Sequence, residues 1–484
     1  MTEFTRRKFI AGAGSAILGA NLPLQQVLAA TTPTTQVTRT VVAAYFGGWS
    51  NPMDKSQQWL HGDNAWGTYP NSKFPNVKHS MGKYPDRFPT LAPYPAGYDD
   101  NQQAIVEAEA KTAATYGVDV FSFNWYRDDF LNIPIMNFKK STKKSGMKWF
   151  LQWSNNSNGS VTPPADSREF FFEGIRRAAI HMRDGTVGTA KAPGDKSYWT
   201  QLDPITQKQL PVFAIFDVSQ INRIVNATYN ASNDVSLKKV TARATSFVAP
   251  NITQSTAEHD AFLWDCQQIV ANVFAGDETG GITLLPDQPK GTYNIAVVKR
   301  NGVAPKSVAI SLTKEEKATY KPAMYLMLST PDVGNWAACT AVHGLYCYNI
   351  RQGNFPNAAG KVVSRLAHSY TEMMTACQQN YDLYMPAMKN FAPTKAYWAT
   401  AMAGFDMKPW GGSPSDPLSD NCVSTKVEFE AHCQQVRKAL DAYPTVTGGV
   451  SFIYAWNEFG EGGFIAPTRS LGDSRLASVK KNLS

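Results

Sequence analysis

Residues 101–125 read NQQAIVEAEAKTAATYGVDVFSFNW. Ala and Ile recur at helix spacing from Asn101 to Tyr116, and Val118 to Trp125 (VDVFSFNW) follows as a short apolar, aromatic run. A helix feeding a strand that is apolar along most of its length is the unit of a parallel sheet covered on both faces. Outward from this segment the unit recurs. Upstream lies Val41 to Phe46 (VVAAYF), ending in Gly47-Gly48-Trp49. Downstream come Met147 to Trp153 (MKWFLQW), after Lys139 to Gly146 as a helix end with its Gly cap, and Pro211 to Phe216 (PVFAIF), after a helix over Ser167 to Arg183. Ala323 to Leu328, Gly344 to Tyr348, Tyr397 to Met402 and Gly449 to Trp456 complete the series, with helical patterns at Lys361–Met388 and Lys426–Tyr443 before the last two.

Eight such strands predict an α/β protein of the (β/α)8 TIM-barrel class rather than an open doubly wound sheet. No G-x-G-x-x-G and no G-x-x-x-x-G-K-[ST] follows any strand, which counts against a nucleotide-binding fold. Two regions exceed a minimal barrel. Ser50 to Asp100 is a long Pro-, Tyr- and Trp-rich connection after strand one, the kind of loop that lines a site. Residues 218–321 separate strands four and five and are expected to form an inserted mixed or β-rich subdomain, with a helix at Thr256–Phe274 and strand-like runs at Gly281–Leu285, Tyr293–Val298 and Ser307–Leu312.

The N-terminus carries an address. Thr5-Arg6-Arg7-Lys8-Phe9-Ile10 precedes a weakly apolar run ending near Ala29-Ala30, the pattern of a bacterial twin-arginine signal. Residues 1–30 are therefore expected to be an export signal and 31–38 a tether. The twin-arginine export machinery is an expected partner, and the destination is the periplasm or beyond. Glycines, Asn21 and Pro23 interrupt the apolar run, so no stable membrane span is expected. The barrel domain would then be 39–484. In such a compartment six cysteines permit disulfides, and the short loop between Cys422 and Cys433 is the pairing most expected. No C-x-x-C occurs and the seven His are scattered, so neither a metal nor a cofactor is expected.

The 484 residues carry 47 Lys+Arg against 39 Asp+Glu, a formal charge of +8, with no long basic run. That excludes a nucleic-acid stripe, while a pI near 9.0 favours acidic surfaces or substrates. The more telling surplus is aromatic: 12 Trp, 20 Tyr and 25 Phe. At the C-terminal ends of the strands, which face the mouth of such a barrel, stand Tyr45 and Trp49, then Asn124, Trp125 and Tyr126, then Trp153 and Asn155. Asp217, Tyr348, Asn349 and Asp406 follow, and Trp456, Asn457 and Glu458 close the set. Aromatic rings that stack on sugar faces, with amides and carboxylates for hydroxyls, suit a polysaccharide or oligosaccharide.

The densest signal is Tyr454-Ala455-Trp456-Asn457-Glu458-Phe459-Gly460-Glu461-Gly462. Two carboxylates three residues apart after a buried strand can converge on one bond, as glycoside hydrolysis requires. Asn457-Glu458-Phe459-Gly460-Glu461-Gly462 resembles the "NEWxEG" catalytic loop of the family-99-type glycoside hydrolases (endo-α-mannosidase-type) and the related WbsX-like proteins. Three further stretches are similar to segments of that family: Ala44 to Pro52, Phe88 to Tyr94 with Tyr98-Asp99-Asp100, and Tyr116 to Phe121 running into Trp125-Tyr126. Asp406, in Ala403-Gly404-Phe405-Asp406, resembles a "GxD" strand end.

The resemblance implies an exported, retaining, endo-acting hydrolase of a polysaccharide. Glu458 would deprotonate the substrate 2-hydroxyl, which attacks its own anomeric carbon to give an anhydrosugar. Glu461 would protonate the leaving oxygen and then activate water. Tyr45, Trp125 and Tyr126 would line the sugar subsite and Asn457 would orient the hydroxyl, with Trp49, Trp153, Asn155, Asp406 and Trp456 as further substrate contacts. Phe459, Gly460 and Ala466 depart from the family pattern and bear on sugar specificity. Two other readings stay open: a conventional double-displacement glycosidase, and a non-catalytic glycan-binding or polysaccharide-assembly barrel.

Overall fold

The structure, a computed structural model, describes residues 38–484 except 51, 54, 56–57, 92–97, 128–130, 156–167, 190–191, 194–195, 231–255, 285–295, 300–318 and 331–333. The expected signal, the tether up to residue 37 and the run Ser307–Leu312 lie outside the described residues.

Eight parallel strands close on themselves. They are β1 (Thr40–Tyr45), β2 (Val120–Trp125), β3 (Lys148–Trp153), β4 (Gln209–Ile215), β5 (Tyr325–Ser329), β6 (Gly344–Tyr346), β7 (Ala396–Tyr397 with Ala399–Met402) and β8 (Val450–Tyr454). Each strand pairs with its neighbours in sequence, and β8 returns to β1 through Thr40↔Val450. Closure runs through β7: Ala396 and Tyr397 pair with β6, whereas Ala399 to Met402 pair with β8, the partner changing at Trp398. The protein is a (β/α)8 barrel, and each expected strand is present to within a few residues of its expected ends.

Helices Gln103–Thr115, Ile133–Lys140, Arg168–Thr186, Val218–Asn230, Thr256–Phe274, Tyr370–Phe391, Lys426–Ala442 and Ser474–Asn482 accompany the strands. Lys426–Ala442 begins on a capping box: the Thr425 hydroxyl accepts from the Glu428 N–H while the Glu428 carboxylate accepts from the Thr425 N–H. Thr256–Phe274 packs on Arg168–Thr186 and reaches the sheet through Gln267, whose side chain bonds the backbone of Ala323, Met324 and Ala341. Ile282–Leu284 and Ala296–Val298 form an antiparallel pair beside it.

Two local expectations change. The helix before β3 ends at Lys140, and Gly146, at φ +81°, belongs to the turn that enters the strand. Within 361–388, Val362–Leu366 is instead one arm of a hairpin with Gln352–Pro356. The helix starts only at Tyr370, where the Ser369 side chain caps Glu372 N–H.

The pairing of Cys422 with Cys433 is not formed. All six cysteines are free and buried, and the Cys422 thiol instead donates to the carbonyls of Ala367 and Ser369. Burial pushes the Cys339, Cys377, Cys422 and Cys433 thiols well up, so they behave as small apolar side chains. Thiol titration of the unfolded protein without reductant is expected to count six groups per chain. A count of four would show a disulfide.

Alternation along the strands decides what reaches the lumen. In β2, Phe121 and Phe123 pack on Phe138 of the helix layer, and Trp125 packs near His181. Ser122 and Asn124 therefore face inward. Trp153 likewise turns outward onto Phe170 and Phe171. The lumen is filled by Phe150, Gln152, Tyr346, Trp398 and Phe452, all buried.

Candidate active site

After Tyr454 the chain leaves β8 and makes a small hairpin: Asn457–Glu458 pairs with Gly463–Phe464 around a 3-10 turn at Phe459–Glu461. Gly462 takes φ +74°, which an L-side chain rarely adopts. A Cβ on Gly463 would lie 2.1 Å from the Tyr454 ring, so the hairpin can fold back over β8 only with glycine there. This turn brings Glu458 and Glu461 together.

Each carboxylate rests on a tyrosine. Tyr348 donates its hydroxyl to Glu458 Oε1 at 2.9 Å, and Tyr454 donates to Glu461 Oε2. The two rings meet edge to face at 5.1 Å, so both acids converge on one locus at the mouth. Burial, and then the charges of Glu461 and Glu458, push the Tyr454 phenol well up and keep it a neutral donor.

Below Glu458 runs a chain of hydrogen bonds with one sense. Tyr346 donates to Gln152, Gln152 to Asn124 at 2.7 Å, and Asn124 to the Tyr348 hydroxyl at 3.0 Å, which in turn donates to Glu458. Donors that all point one way polarise each other, so the lumen favours negative charge on Glu458. Glu461 is held from its backbone: Asp406 N–H donates to its carbonyl at 2.6 Å. Arg87 pairs with the Asp406 carboxylate and donates to the Phe459 carbonyl at 3.0 Å, joining the β7 and β8 loops. Above the turn, a Cβ on Gly460 would stand 2.2 Å from Trp410 Nε1 and 3.0 Å from His79 Nε2. The Gly460 departure thus makes room for an indole and an imidazole.

Most other residues expected to touch substrate take up scaffold positions. Tyr45 points behind the barrel wall and donates to Glu109 at 2.6 Å. Trp456 does the same through Nε1 at 2.9 Å, and its ring packs near Phe121. Trp125 and Trp153 face the helices, as described above. Trp49 is buried between Trp66 and Phe459 and donates to the Asn457 carbonyl at 2.9 Å. Asn457 itself clamps Phe46, accepting from its N–H at 2.7 Å and donating to its carbonyl at 2.8 Å. Asn155 ties the end of β3 to Asp217 and Gln220. Tyr126 is buried, its backbone bonded to the Asn132 side chain, and Asp406 is engaged by Arg87. Strand ends alternate between faces, so selecting every aromatic there mixes mouth with wall. Tyr348 and Asn124 were legible as strand-end residues. Arg87, His79 and Trp410 come from distant loops and left no local signal.

Glu109 collects three donors from three parts of the chain, the hydroxyls of Tyr45 and Tyr98 and the Trp456 indole. Burial nevertheless pushes its carboxyl from the ordinary 4.5 up to about 7. A raised value means that the folded state keeps a proton the unfolded chain has released. The contribution is full below about pH 4.5, falls as pH rises, and is gone above about pH 7, amounting to roughly 3 kcal/mol at most. Glu109→Gln is expected to flatten the fall in stability between these limits, measured by urea denaturation across pH. Parallel profiles for the two proteins would exclude Glu109 as the source.

Among the described residues, no group of three or more His, Cys, Asp or Glu is placed to hold a metal ion, and no helix is long and apolar enough to cross a membrane. No protein-family model and no curated protein matches the chain. Similar solved structures include the GH99 endo-alpha-mannosidase from Bacteroides thetaiotaomicron, at 14% identity over 92% of this chain and 96% of that one, with a TM-score of 0.46. The complex of that type of enzyme with BIS-TRIS-Propane aligns at 13% identity, 90% and 88% coverage and a TM-score of 0.46. A glycoside hydrolase-like protein aligns at 12% identity over 94% and 98%, with a TM-score of 0.49.

Proposed function

We propose that the protein is an exported glycoside hydrolase that cleaves within a polysaccharide with retention, using Glu458 and Glu461. The observation that carries the reading is the convergence of these two buried acids on the touching rings of Tyr348 and Tyr454 at the C-terminal mouth of the barrel. Two carboxyl groups in unlike surroundings can divide acid and base roles. Glu458, at the end of a one-way donor chain, suits the base. It takes the proton of the substrate 2-hydroxyl as that oxygen bonds to the anomeric carbon. Glu461 gives its proton to the departing glycosidic oxygen as the bond to it breaks. In the second step Glu461 takes a proton from water, whose oxygen bonds to the anomeric carbon. The anhydro bond opens and Glu458 returns its proton to the 2-oxygen. The export part of the reading rests on the Arg6-Arg7 segment.

The test is incubation with a panel of bacterial and fungal polysaccharides, with products identified by mass spectrometry and their anomeric configuration by NMR. Internal cleavage with retained configuration is expected, and the cleaved glycan should resist once its 2-hydroxyl is removed. Saturable binding with no new reducing ends would replace hydrolysis by glycan binding. Cleavage of the 2-deoxy substrate would replace the anhydrosugar route by double displacement.

A further inference from the structure

Arg351 lies five residues past the end of β6, on the mouth side of the barrel. Its backbone is pinned on both sides: the Ile350 N–H donates to Met402 Sδ, and the Ala367 N–H donates to the Arg351 carbonyl at 2.7 Å. Its guanidinium lies over the Phe405 ring, 3.8 Å from the centroid. Phe405 adjoins Asp406, whose N–H holds the Glu461 carbonyl, so the cation stands beside the catalytic turn. Arg351 Nε and Nη1 are buried and have no hydrogen-bond partner among the described residues. The nearby Asp420 does not pair with it, because that carboxylate is filled by Met407 N–H, Ser413 N–H and Ser413 Oγ.

Taking a guanidinium out of water without an anion is costly, and an aromatic face offsets only part of that cost. Burial draws its pKa down, while the negative charge of Glu461 opposes the shift. Its planar donor fork matches a carboxylate. The excess of basic over acidic residues works the same way at longer range, since it draws anionic polymers to the surface.

We infer that Arg351 is a specificity-determining residue that binds the carboxylate of a uronic acid unit in the substrate, next to the sugar that is cleaved. The inference rests on the glycan-directed reading above and names its substrate class: an acidic polysaccharide rather than a neutral mannan. The carboxylate would accept from one edge of the guanidinium, Nη2 together with Nε or Nη1, while Phe405 keeps the plane fixed.

The test uses the full chain and matched probes: glucuronate-containing oligosaccharides from a bacterial exopolysaccharide, and the same oligosaccharides after carboxyl reduction. Calorimetry measures binding and mass spectrometry measures cleavage, for the natural protein, Arg351→Met and Arg351→Lys. The natural protein is expected to bind the acidic form roughly 10–100-fold more tightly than the reduced form. Arg351→Met should abolish that preference without weakening the reduced form, and Arg351→Lys should keep part of it. Equal binding of the two forms by the natural protein, no binding of the acidic form, or an undiminished preference in Arg351→Met would each overturn the inference. If Arg351→Met does not fold, the comparison of the two probes on the natural protein decides alone. A preference for the acidic form without cleavage of any glycan would retain the carboxylate site and reject the hydrolase reading.

Discussion

Glu461→Gln is expected to lower kcat on the cleaved glycan by about 10²–10⁴-fold while leaving the thermal midpoint nearly unchanged. The amide oxygen can still accept from Tyr454, so the turn keeps its anchor. What is lost is the proton for the departing oxygen and, in the second step, the base that activates water. A substrate with a leaving group that needs no proton, such as a glycosyl fluoride, should recover the first step in this variant, read as a single-turnover burst of fluoride, while steady turnover stays slow. Glu458→Gln should lose a comparable factor and should not recover, because no leaving group replaces the base that frees the 2-hydroxyl. Equal recovery in both variants, or full activity in both, would reject the division of roles.

Asn457→Ala is expected to damage stability and activity together. Its side chain satisfies both the N–H and the carbonyl of Phe46, which is buried. Leaving these two groups without partners costs about 1–3 kcal/mol each. Glu458 is the next residue, so the acid should lose its position along with the clamp. Asn457→Asp should do little better, since it keeps an acceptor but sets a carboxylate against the Phe46 carbonyl. Urea denaturation and kcat on the same preparations check this. An unchanged unfolding midpoint with a raised KM would instead make Asn457 a substrate contact.

The barrel was legible because its signal is local and repeated: eight runs such as VVAAYF and VDVFSFNW, set between helical patterns. The acid pair was legible for the same reason, as both members fall within four residues of one loop. The walls of the site were not. Tyr45 and Trp456 look like sugar platforms in sequence, yet they serve Glu109 in the helix layer. A strand's two faces can be told apart only when its register is known, and no periodicity shows up in strands that are buried on both sides. The Arg87 link to Asp406 and the Arg351 stack on Phe405 join residues far apart in sequence, at positions where neither neighbourhood is unusual.

The clamp of Asn457 on Phe46 joins residues 411 positions apart. Glu458 therefore gains its fixed surroundings only when the last strand docks on the first. A ribosome-bound chain that stops short of Val450 holds the lumen donors Tyr346, Gln152, Asn124 and Tyr348 but has neither acid. Catalytic power should emerge in one step when the last strand docks, and appearance of activity would serve as a clock for barrel closure. Closure across so long a separation is slow compared with local helix formation. The interval between emergence of the last strand and first turnover would then measure how long the two acids remain without their fixed surroundings.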